Sequence, residues 1–111
     1  MTDEPIRVAV VDIGTNSTRL LVADVVGHRV AEVDRRTTVT RLGRGVDLSG
    51  QLSTEAIEDV CEAVGDYVAA YRELGAGPVI AIATSAVRDA SNGSAFIAEL
   101  RERFNLSPRD R

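Results

Sequence analysis

IRVAVVDIGTNSTRLLVADVV, residues 6–26, holds two β-branched, apolar runs on either side of a short polar turn. Ile6–Asp12 and Thr18–Val26 are apolar on both faces, as expected of strands covered on both sides, and the first should lie mid-sheet. The turn Gly14-Thr15-Asn16-Ser17 is too short for a crossover, so the two runs form an antiparallel hairpin. Gly27-His28 makes a second turn into Arg29–Thr40, where charged side chains alternate onto both faces, as suits an edge strand.

Outward from this meander, Arg41–Leu52 (RLGRGVDLSGQL) is punctuated by glycine and reads as a loop. Ser53 is a candidate N-cap for a helix in which Ile57, Val60, Cys61, Val64, Tyr67, Val68, Tyr71 and Leu74 keep helical spacing, ending at Gly75, Gly77 and Pro78. Val79–Ala83 (VIAIA) is a short unbroken apolar run, the mark of a buried parallel strand reached through a helical crossover. Thr84–Ala90 leaves that strand's C-terminal end. Ser91 or Asn92 can cap a last helix striped by Phe96, Ile97, Leu100 and Phe104, and a charged tail with Pro108 follows. The order is β-β-β-α-β-α, an α/β chain with a mixed sheet. A crossover helix normally delivers the chain to another parallel strand, so residues 1–111 read as one partial domain of a longer protein, with Val79–Ala83 missing its outer parallel neighbour.

The chain of 111 residues (11.9 kDa) is 44% hydrophobic and 27% charged, a globular composition with room for one core. Its net charge of −4 disfavours nucleic acid and anionic membrane surfaces as partners. All 13 basic residues are Arg, which excludes a Walker loop and Schiff-base chemistry and fits codon usage in a GC-rich genome. One Cys (Cys61) and one His (His28) cannot build a disulfide, a Cys/His zinc site or a catalytic pair that needs several such residues. With no export signal and no long apolar run, a cytoplasmic location is expected.

Two segments can carry chemistry. In Asp12–Thr18, Gly14 lets successive N–H groups converge into an anion nest, Thr15, Asn16 and Ser17 add side-chain donors, and Asp12 suits a hydrated Mg2+ bridging to phosphate. A hairpin turn that is merely polar fits the same residues. Thr84–Ala90 sits where a parallel strand ends, the edge at which open α/β sheets place ligands, and its Arg88 could grip phosphate with two parallel donors or pair with Asp89 or another nearby carboxylate. Other patterns fail. Gly43 and Gly45 begin a GxGxxG whose third position is Leu48, Arg41 and Arg44 read as solvated loop residues, and Tyr67 and Tyr71 read as core packing.

Taken together, Asp12-Ile13-Gly14-Thr15-Asn16-Ser17 with Leu20, Arg41-Leu42-Gly43-Arg44-Gly45, and Thr84-Ser85-Ala86-Val87-Arg88-Asp89-Ala90-Ser91-Asn92 resemble three motifs of the exopolyphosphatase and guanosine pentaphosphate phosphohydrolase (Ppx/GppA) family. The first alone is also similar to loops of sugar kinases and other actin-like ATPases; the Arg88 segment separates them. The resemblance implies a ribonuclease-H-like half of an actin-like ATPase fold. It implies polyphosphate or guanosine pentaphosphate as substrate, held over Mg2+ by Asp12, Gly14, Thr15, Asn16, Ser17 and Arg88, with Asp12 and Arg88 catalytic. The remainder of the parent chain becomes a required partner, a homodimer stays open, and the source resembles a high-GC bacterium. The family's general-base Glu and second phosphate loop are not in these residues, so the 111-residue chain is expected to be inactive alone. An ATP-binding or kinase-type relative and a non-catalytic anion-binding fragment are the competing readings.

Overall fold

The computed structural model describes residues 4–110; the outermost residues of the expected charged termini, 1–3 and 111, lie outside the described residues. Strands β1 (Ile6–Ile13), β2 (Ser17–Val26) and β3 (Arg29–Val39) form the meander, and β4 (Val79–Ala83) and β5 (Arg109–Asp110) complete a sheet of order β3-β2-β1-β4-β5. β1 is therefore central. It pairs antiparallel with β2, Asp12 opposite Arg19 and Ile13 opposite Thr18, and parallel with β4, Asp12 beside Ile82. Both neighbours hold the end of β1 in register, which fixes where the turn after it emerges.

Helix α2 (Thr54–Glu73) starts at the expected cap, where the Ser53 side chain accepts from the Ala56 N–H at 3.1 Å. Val60, Val64 and Tyr67 on its buried stripe pack on Ala9, Val11, Leu20 and Val22 of the sheet. Tyr67 is core, and its hydroxyl donates to the Thr18 carbonyl at 2.8 Å and lies 2.6 Å from the Thr38 hydroxyl. Helix α4 (Gly93–Phe104) buries Phe96 and Leu100 in the same core, with Ile97 and Phe104 half-buried beside them.

The expectation that β1 and β2 are covered on both sides is corrected. Ala9, Val11 and Ile13 are fully buried, whereas Val8, Val10, Leu21 and Ile82, on the opposite face, are only half-buried, and Ile80 there is 50% exposed. None of them belongs to the core cluster. The reason is topological. The connections β3 to β4 and β4 to β5 both step toward the β5 edge, and right-handed crossovers that step the same way place their helices on the same face. Among the described residues no element is left for the other one.

Three further departures are local. The loop 41–52 contains one helical turn, α1 (Val46–Ser49), bounded by Gly45 and Gly50 in the left-handed region, and Thr84–Ala90 contains the short helix α3 (Ser85–Asp89). The tail is not free of the sheet: Arg109 and Asp110 pair in parallel with Ile82 and Ala83, so β4 has an outer neighbour at its C-terminal end. Its N-terminal half remains an open edge, consistent with the exposure of Ile80.

Near the opposite end of the sheet from the turn, Arg7 donates from Nε and Nη2 to the two carboxylate oxygens of Asp24 at 2.8 and 3.0 Å and from Nη1 to the Leu74 carbonyl at 2.9 Å. The hydrogen bonds from Arg7 hold the Asp24 carboxyl below its ordinary value of 3.8. A carboxyl depressed by folding stabilises the native state above its unfolded pKa and loses that contribution as pH falls through its folded one. Asp24→Asn should therefore lower the urea midpoint at pH 7, and the difference from the parent sequence should close as pH falls below about 4. A gap that is unchanged at pH 3 would exclude the ion pair as its cause.

Candidate functional site

The chain turns from β1 to β2 through Gly14, Thr15 and Asn16, closed by the Gly14 N–H donating to the Ser17 carbonyl at 2.9 Å. What orients this turn is the segment behind it. The Gly43 N–H donates to the Thr15 carbonyl at 2.9 Å, and the N–H groups of Thr40 and Arg41 both donate to the Asn16 carbonyl at 3.0 Å. Because a trans peptide unit points its C=O and the following N–H in opposite directions, taking both carbonyls from behind aims the N–H groups of Asn16 and Ser17 the other way. The turn lines a cleft of about 320 Å³ together with Asp12 and Arg19. The direction of the turn's amides thus depends on backbone partners that the turn sequence itself does not contain.

The remaining supports are side chains. Thr18 and Thr40, both buried, join hydroxyls at 2.9 Å beneath the turn. The Thr15 hydroxyl lies 2.9 Å from that of Thr84, the residue at which β4 gives way to α3, and the Thr84 N–H continues the β1–β4 ladder by donating to the Ile13 carbonyl at 2.9 Å. This bond connects the two segments that sequence reading singled out. The Thr15 hydroxyl is thereby engaged with Thr84, while the exposed Asn16 and half-buried Ser17 also line the cleft. A Cβ on Gly43 would stand 2.3 Å from the Thr15 Cγ2, so a side chain there would have to displace the Thr15 side chain that meets Thr84.

Asp12 is half-buried at the end of β1 and lines the cleft floor with Arg19 across from it. Among the described residues no group of three or more His, Cys, Asp or Glu could together hold a metal. Mg2+ is usually held by one or two carboxylates, with phosphate oxygens and water filling the other positions, and Asp12 fits that pattern. Arg88 is not brought into this cleft. It projects from the last turn of α3 into a neighbouring one of about 300 Å³, with Gly93, Ser94, Arg101 and Asp110, and its guanidinium pairs with Asp110 and, at 3.9 Å, with Asp89. The side chain is 61% exposed, and ion pairs so open to water are weak, which leaves the fork available to a stronger anion.

Sequence reading missed Thr40, Gly43 and the Thr84 hydroxyl as parts of the loop's frame. The signal for Gly43 was present in Leu42-Gly43-Arg44-Gly45, where a fully buried Leu precedes glycine in an otherwise polar loop.

The model of the Ppx/GppA phosphatase family matches residues 21–107. The chain belongs to this family. It is 44% identical over 97 residues to Exopolyphosphatase 2 of Mycobacterium tuberculosis, an alignment covering 83% of this chain and 30% of that protein. To the guanosine-5'-triphosphate,3'-diphosphate pyrophosphatase of Pseudoalteromonas translucida it is 29% identical over 91 residues, covering 82% and 18%. Its fold superimposes on the Ppx/GppA family member of Aquifex aeolicus with a TM-score of 0.92 at 29% identity, covering 97% of this chain and 35% of that one. The architecture is accordingly part of an actin-like ATPase fold, and the chain spans about a third or less of the length of these relatives.

Proposed function

We propose that this chain is the phosphate-loop portion of an enzyme that releases terminal phosphate from a polyanionic phosphoanhydride, inorganic polyphosphate or guanosine pentaphosphate. The observation that carries the reading is a turn whose Thr15 and Asn16 carbonyls are held from behind by Gly43, Thr40 and Arg41, at a cleft that Asp12 also lines. The similarity to Exopolyphosphatase 2 supports the same chemistry. Mg2+ bound at Asp12 would supply charge neutralisation for the transferring phosphoryl group. The chain's own share is positioning: the nest fixes a phosphate against two amides, Ser17 and Asn16 add side-chain hydrogen bonds, and Arg88 exchanges Asp110 for a phosphate oxygen pair. The test is phosphate release from polyphosphate by the longer parent protein without ATP and an acceptor; release that requires both would make it a kinase-type relative instead.

Arg88 provides a sharper check within this reading. Arg88→Lys keeps the charge and loses the fork, and Arg88→Ala loses both, so turnover should fall in both and further in Ala, by roughly ten- to a hundredfold. Melting temperature should hardly move, because the pairs given up are exposed. Lowered melting with unchanged turnover would confine Arg88 to its carboxylate partners.

A further inference from the structure

Asn92 occupies the N-cap position of α4, yet its side chain makes no cap hydrogen bond. Its carboxamide instead reaches 40 residues back in sequence, where Oδ1 accepts from the Leu52 N–H at 2.8 Å and Nδ2 donates to the Leu52 carbonyl at 2.9 Å. A single side chain thus reproduces both bonds of a strand pair. The preceding residue adds to it, the Ser91 N–H donating to the Gly50 carbonyl at 2.8 Å. Leu52 is 3% exposed, so its two backbone groups need partners from within the protein.

The segment gripped here at its C-terminal end is the same one whose N-terminal end frames the phosphate loop through Thr40, Arg41 and Gly43. Its apolar anchors are few: Leu42 and Leu52 sit in the core and Val46 packs half-buried against it, while residues 44, 45 and 47–51 are exposed. We infer that Asn92 is a positioning residue for the phosphate loop, acting through the strap 40–52: it anchors the strap, and the strap holds the carbonyls of Thr15 and Asn16 so that the next amides face the cleft. A capping role is contradicted by the missing cap bond. The inference rests on the proposed phosphate chemistry only for its catalytic consequence, since the strap geometry stands without a ligand.

The test uses Asn92→Asp in the parent protein. This change keeps the shape and the acceptor for the Leu52 N–H but sets an oxygen against the Leu52 carbonyl. Hydrogen exchange followed by mass spectrometry, without any substrate, should show peptides covering 12–18 and 40–52 exchanging about three- to tenfold faster. With polyphosphate, kcat should fall about tenfold while KM changes less, the signature of misplaced groups. Val64→Ala, a core change in α2 12 residues beyond Leu52 that touches none of the strap's hydrogen bonds, serves as the comparison: it should lower the melting temperature without selectively accelerating exchange in 12–18. Asn92→Asp exchange confined to 40–52, or exchange in 12–18 that Val64→Ala reproduces at equal loss of melting temperature, would overturn the inference. Faster exchange in both peptides of a parent that releases no phosphate would leave the strap standing and remove the proposed activity.

Discussion

Asp12→Asn in the parent protein should cut polyphosphate turnover on the order of 10²–10³-fold with a much smaller change in KM. The two side chains have the same shape, so the β1 ladder and the turn after it are kept, and what disappears is one negative charge at the cleft floor. In the proposed reaction that charge holds a cation whose effect is greatest as charge shifts onto the leaving oxygen, which is why kcat carries the loss. Raising magnesium should recover part of the rate at low concentrations and none of the remaining deficit at saturation. A variant with parental rates across the whole magnesium titration would remove Asp12 from the site.

The second large effect concerns folding. A Cβ on Gly93 would lie 1.8 Å from the Val87 carbonyl oxygen and 2.9 Å from its carbon, both backbone atoms that no rotamer change can move. The first residue of α4 passes this close because Ala90 turns the chain sharply after α3, its carbonyl accepting from the Gly93 N–H at 3.0 Å. Gly93→Ala must push the two helices apart, at a cost of about 1–3 kcal/mol or somewhat more, which is roughly 5–15 °C in melting temperature for a domain of this size. Ser94→Ala, at the exposed next position, should stay within about 0.5 kcal/mol. Equal melting of the glycine variant and the parent in a circular dichroism scan would show that the helices can separate freely.

The meander was legible because its signals are local. Apolar runs of strand length around Gly14–Ser17 and Gly27-His28 leave little choice but hairpins, and the Ser53 cap with its helical stripe is equally self-contained. The unreadable parts depend on distant partners. Two residues of β5 carry no periodicity, and Arg109 and Asp110 become a strand only because Ile82 and Ala83 offer a ladder. Apolar positions such as Val8 and Val10 look alike whether a helix covers them or not, so the handedness of two crossovers, rather than composition, decided which face was buried. At the site, Asp12 to Ser17 announced the right residue types, but the direction of the amides came from Thr40, Arg41 and Gly43. Asn92 was misleading because a cap and a long-range clamp use the same residue.

The uncovered sheet face bears on the strength of the site itself. Side chains alternate along β1, so Asp12 stands on the same face as Val8 and Val10 and away from the buried Val11 and Ile13. Asp12 is half-buried, and a charge near a protein surface acts through an effective dielectric of about 20 rather than the 80 of bulk water, so its pull on a cation at the same distance is about fourfold that in water. The strength of Asp12 as a cation ligand thus depends on the dryness of its neighbours Val8 and Val10 as well as on the phosphate loop.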